Sequence, residues 1–171
     1  MKIRFPMAAT SLILGFCASA YAGARFPSSA QKGAVMPTRA SGSFDVKLSP
    51  QATDDKAEGA TLGRMSIDKQ FHGDLEASSK GEMLTAGTDV KGSAGYVAIE
   101  RVSGTLHGRR GTFALQHSGT LTRGVPQLSV TVVPDSGTGE LAGLTGKMTI
   151  NIVDGKHLYD FETVLPKCLE R

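Results

Sequence analysis

"KMTINIVDGKHLYDFETVL" (residues 147–165) decides the fold. Two alternating runs, "KMTINIV" and "HLYDFETVL", are separated by Asp154-Gly155-Lys156. Asp-Gly between such runs marks a β-hairpin, because the turn needs positive φ and glycine accepts it without steric cost. The same pattern runs back through the chain. In "SFDVKLS" (43–49), Phe44, Val46 and Leu48 alternate with Ser43, Asp45 and Lys47, the period of a strand with one buried face. Further strands are expected over about Leu62–Phe71, with Met65, Ile67 and Phe71 on one side, over about Asp74–Thr85, and at "AGYVAIERV", "TFALQHSG" and "PQLSVTVV". "PQATDDKAEGA" (50–60) and "TAGTDVKGS" read as connections. A short extended piece, "GTLHG", leads to an expected turn at Arg109-Arg110-Gly111.

These eight segments are regularly spaced, no long stretch has helical period, and 21 glycines suit many turns. The expectation is an all-β fold, a single eight-stranded, mostly antiparallel β-barrel. An open sandwich is the alternative. Closure is preferred because eight strands suffice to enclose either packed side chains or one small ligand, and because no helix is present to cover an open sheet.

The opening residues belong to targeting. Lys2 and Arg4 precede an apolar run from Met7 to Ala20 that ends in small residues, the layout of a secretory signal peptide, with cleavage expected after Ala22. The bulky Phe16 argues against the competing reading, a lipid anchor on Cys17, and the run is short for a membrane span. The expected organisation is therefore a signal peptide (1–22), a flexible leader rich in Pro, Ser and Gly (23–41) and a barrel domain (42–171), with the mature chain exported to the periplasm or secreted.

Removing 22 of the 171 residues leaves 149, enough for one core. The mature chain carries 17 Lys+Arg against 16 Asp+Glu, a net charge of +1, so nothing points to nucleic acid. Cys168 is then the one remaining cysteine. It can form no internal disulfide, and an intermolecular bridge is the only one open to it.

"QFHGDLE" (70–76) sets His72, Asp74 and Glu76 at every second position. On a strand His72 and Glu76 would stand about 13 Å apart, too far for one metal ion. With His72-Gly73 as a two-residue loop, Lys69 would face Glu76 as a cross-strand ion pair; in another register Glu76 would point inward. "GTGELA" (137–142) satisfies a dinucleotide fingerprint, but Gly143 and Gly146 interrupt the helix that the fingerprint needs. No metal spacing, cofactor motif or nucleophile with its base can be assembled.

"AIERVSGTLHGRRGTFALQHSG" is the densest polar stretch attached to core strands. Phe113, Leu115 and His117 share one face, and Glu100 shares another with Tyr96, Ala98 and Val102. His117 on an apolar face is ordinarily a hydrogen-bonded core residue. Paired with a buried carboxylate it becomes a proton-transfer candidate, which makes Glu100 and His117 the catalytic candidates.

"GTFALQHSGT" (111–120) and "VVPDSGTGELAGLTG" (132–146), together with "FHGDLEASS" and "IERVSGTLHGRRG", resemble an uncharacterised bacterial family catalogued as domain of unknown function 3224. The likeness covers most of the chain after about Ser41. It implies an eight-stranded barrel like that of allene oxide cyclase, and "SGTGELAGLTG" also looks like the glycine-rich strand connection of dirigent proteins. Both relatives act on, or guide, small hydrophobic molecules in a barrel cavity. No residue here matches the cyclase's functional positions.

The leading expectation is thus an exported, non-enzymatic barrel holding a small apolar or amphipathic ligand, with Glu76, Tyr96, Glu100, Phe113, Leu115 and His117 as its binding residues. The rivals are an isomerase or cyclase using Glu100 or His117 as general acid and base, and a solid structural barrel with a protein partner. A second copy of the chain is the other partner left standing, since barrels of this type often assemble.

Overall fold

The computed structural model describes residues 37–52 and 59–166. The expected signal peptide, the leader as far as residue 36, and Cys168 lie outside the described residues. Eight strands follow one another: β1 Thr38–Gln51, β2 Ala60–Gly73, β3 Leu75–Thr88, β4 Ala94–Leu106, β5 Arg109–Thr122, β6 Val125–Val132, β7 Thr145–Val153 and β8 Lys156–Val164. Each pairs antiparallel with the next, and β8 returns to β1, closing the barrel.

The β7–β8 hairpin is the one its sequence predicts. Val153 pairs with Lys156 across Asp154 (φ 51°) and Gly155 (φ 76°). The turn expected at Arg109–Gly111 lies earlier. His107 (φ 48°) and Gly108 (φ 78°) form the same two-residue loop, Leu106 pairs with Arg109, and "GTL" is the end of β4. The barrel also starts ahead of the expected boundary at residue 42, because residues from Thr38 onward pair with β8 and Ala40 is buried opposite Phe161.

Alternation directs Phe44, Ile67, Phe71, Val102, Phe113 and Phe161 inward. The outer face carries the ion pairs Arg64–Glu82, Asp68–Lys80 and Arg39–Asp160. The apolar side of the sheet is therefore its inner side.

One half of the interior is solid. Leu75, Leu106, Phe113 and Phe161 fill it together with Leu141 and Leu144, all buried, and Phe113 and Phe161 stack at 5.8 Å. Leu141 and Leu144 come from the β6–β7 connection, where "GTGELA" makes only a short 3₁₀ turn at Gly139–Leu141. Each such side chain contributes about 1.5–3 kcal/mol on burial. The connection also supplies the hydrogen bonds that β6 is too short to give. The Thr138 amide donates to the Thr112 carbonyl (2.8 Å), the Ala114 amide to Ser136 Oγ (3.0 Å) and the Arg110 amide to the Glu140 carboxylate (2.8 Å). It plugs that end and finishes the β5 edge at once.

Candidate functional site

Because strands alternate in direction, the plug and the β2–β3 and β4–β5 turns share one end of the barrel. The interior toward the other end holds a cavity of about 310 Å³. Its walls include Val46, Leu48, Ile67, Met83, Leu128 and Ile150, and its polar lining is Lys69, Tyr96, His117 and His157. Larger hollows of about 590 and 570 Å³ run over the outer surface of β2–β5, around Leu84 and Val97. The inner cavity is the better candidate, since convergent buried ionisable groups meet apolar walls there.

At its floor lies a closed polar cluster. Glu100 is 0% exposed and sits behind the lining residues. Its Oε1 is 2.7 Å from Lys69 Nζ and 2.8 Å from His117 Nε2, and its Oε2 accepts from Ser79 Oγ at 2.7 Å. Lys69 is 6% and His117 4% exposed. Strand register builds the cluster: Lys69 lies opposite Ser79, and Glu100 lies between Gly81 on β3 and Leu115 on β5. A Cβ on Gly81 would run into the Glu100 backbone and Cβ, so the close approach of β3 to β4 here needs glycine.

Burial by itself would raise the Glu100 pKa. The hydrogen bond from His117 and the charge and hydrogen bond of Lys69 outweigh it and lower the value to about 2. Glu100 is therefore a fixed carboxylate, an acceptor only. It follows that His117 Nε2 carries the proton of their shared hydrogen bond. Nδ1 is then the ring nitrogen with no hydrogen-bond partner among the described residues, on a side chain that lines the cavity. The Lys69 ammonium also lies over the Phe44 ring, 4.9 Å from its centroid. Tyr96, on the same strand face as Glu100, has its pKa raised by burial and by the Glu100 charge.

Of the residues expected to bind a ligand, Tyr96 and His117 line the cavity and Glu100 lies beneath it. Phe113 and Leu115 are buried and do not line the cavity; Phe113 packs in the solid half. Glu76 is outside the barrel altogether. Its side chain is 58% exposed and accepts the Gly73 amide at 2.7 Å. The expected Lys69–Glu76 pairing is absent because Phe71 pairs with Ala77, which sets Lys69 opposite Ser79 and turns it inward. The wide turn arises because His72 and Gly73 stay paired to β1 while Leu75 and Glu76 pair to β4. Asp74 ties that corner down by accepting the Ser41 amide at 2.8 Å. "QFHGDLE" is turn chemistry.

Lys69 is the functional candidate that sequence reasoning missed. The signal was present: Met65, Ile67, Lys69 and Phe71 occupy one alternating register, so a lysine stands at an inward position. Among the described residues no group of three or more His, Cys, Asp or Glu side chains is placed to share a metal ion. No helix there is long and apolar enough to cross a membrane.

Comparison with known proteins places these observations in a family context. The family model described as "Protein of unknown function (DUF3224)" matches residues 40–163. The crystal structure of a protein with unknown function from the DUF3224 family of Shewanella oneidensis MR-1 is similar, with a TM-score of 0.75 and 52% sequence identity. The match covers 78% of this chain and 100% of that one. No curated protein matches.

Proposed function

The chain belongs to the DUF3224 family, and since that description names no activity we propose, from the barrel's own geometry, an exported protein that binds a small amphipathic molecule in its open half. One observation carries this reading: a cavity of about 310 Å³ with apolar walls ends on a buried polar cluster whose carboxylate is hydrogen-bonded at both oxygens. Ligand pockets have this composition, and the volume lies at the lower end of their range of about 300–1,000 Å³. A charged cluster in a folded core is expensive unless its members are paired. This one is paired and faces an apolar cup, as a recognition element would be.

Native mass spectrometry of protein purified from its source organism tests the reading. A bound small molecule is expected in the wild type and is expected to be lost from Ala98→Phe, which fills the cavity from β4. Ligand-free protein in repeated preparations would count against binding.

The direct Glu100–His117 hydrogen bond of 2.8 Å supports a second reading, an isomerase or cyclase. In it Glu100 orients the imidazole, and Nδ1 moves a proton of a molecule held in the cup. His117→Gln would then retain binding and abolish turnover, whereas a pure binder has no turnover to lose.

A further inference from the structure

We propose that the molecule taken up is an organic anion, a small carboxylate whose head group sits on Lys69 and whose apolar tail points to the mouth. The inference rests on the binding reading above and adds the chemistry of the ligand. Its ground is an asymmetry in the cavity lining. Lys69 from β2, Tyr96 from β4, His117 from β5 and His157 from β8 all line the cavity, and among the described residues no Asp or Glu lines it.

Glu100, the acid bonded to Lys69 and His117, is withdrawn behind them, and both its oxygens are already occupied. An arriving molecule therefore meets the Lys69 ammonium ahead of the carboxylate. Lys69 has three N–H groups and gives one to Glu100. Its Nζ lies 4.9 and 5.7 Å from the Phe44 and Phe71 ring centroids, so the ammonium is held at the floor.

The alternatives for the head group fare worse. An ammonium head would lie beside Lys69, with no acid among the described lining residues to receive it. A hydroxyl can accept one hydrogen bond from Lys69, but a carboxylate accepts charge-assisted ones, which are roughly twice as strong, in a site screened from water. A carbonyl compound captured by Lys69 as an imine would have to give up the 2.7 Å contact of Lys69 Nζ with Glu100.

Calorimetric titration of the mature chain at pH 7 with octanoate, 1-octanol and octylamine separates these cases, since the three share one tail. Octanoate should bind at least about tenfold more tightly than 1-octanol, equivalent to about 1.4 kcal/mol, with octylamine weakest. Lys69→Met combined with Glu100→Gln removes the charge pair without orphaning either partner. In that variant, once its circular dichroism matches wild type, the preference for octanoate should fall below about threefold.

Equal affinity for octanoate and 1-octanol, or a preference for octylamine, overturns the anion proposal and leaves the binding reading standing. If none of the three binds, both fall together.

Discussion

Lys69→Met is the most informative single perturbation of the barrel. Methionine keeps the side chain as far as Cε and removes the ammonium together with its contact over the Phe44 ring. Glu100, 0% exposed, then keeps His117 and Ser79 but loses the cation 2.7 Å away. Removing one member of a buried ion pair typically costs about 3–5 kcal/mol, because the survivor is left charged in a poorly solvating interior. Against a single-domain stability of about 5–15 kcal/mol that is a large fraction of the whole.

The decisive comparison adds Glu100→Gln to the same chain. Glutamine is neutral; its Oε1 can still accept from His117 Nε2 while its amide nitrogen donates to Ser79 Oγ, so the double variant carries no unpaired charge. It should be more stable than Lys69→Met alone by about 2 kcal/mol, a second substitution that rescues the first. Urea unfolding at pH 7, followed by circular dichroism with the slope checked for constancy, measures both variants and their coupling. If the two costs add, so that the double variant is the less stable, Glu100 is not stranded by the loss of Lys69 and the account of the cluster is wrong.

Three further outcomes follow from the same contacts. The folded Glu100 pKa of about 2 lies below the ordinary glutamate value of 4.5, so its stabilisation is complete above pH 4.5 and is lost as the pH falls toward 2. The loss is on the order of 3 kcal/mol, and thermal melts across that window should decline less steeply in Glu100→Gln than in wild type. Leu141→Ala removes a fully buried plug residue and should cost about 2–5 kcal/mol in urea unfolding; a neutral result would mean the connection does not seal that end. Tyr159→Phe deletes the hydroxyl that accepts the Leu75 amide at 2.9 Å and donates to the His72 carbonyl at 3.2 Å. A cost of about 1–3 kcal/mol is expected, with faster hydrogen exchange at the Leu75 amide as its local signature.

The fold was legible because its local signals agree with one another. Asp154-Gly155 lies between two alternating runs, and both the turn and the runs demand a hairpin. Eight such runs with no helix leave a closed sheet as the economical way to cover an apolar face. The two misplacements differ in cause. At β4–β5 the strands do pair right up to the loop, and the turn falls on His107-Gly108 where the following Arg109-Arg110-Gly111 offers a competing glycine. At β2–β3 turn chemistry does not fix the register, because the flanking strands do not pair with each other right up to the loop. In a closed barrel the strands are staggered. At Gly73 and Leu75 the chain's partners are β1 and β4, which no local pattern around "QFHGDLE" could disclose.

That register error hid the site. Placing Lys69 against Glu76 assigned it to the surface as a solvated ion pair, the ordinary fate of a lysine, and removed it from the row of Met65, Ile67 and Phe71 to which its position entitles it. Glu100 and His117 were identified by the same alternation because no convenient partner nearby drew them outward. A buried acid and an imidazole alone look like a catalytic pair. With Lys69 added, the carboxylate has its counter-charge, its pKa is lowered, and it becomes a fixed acceptor that holds two basic side chains toward the cavity. The chemical character of the cup therefore turns on a single inward lysine whose partner comes from a strand two positions away in the sheet.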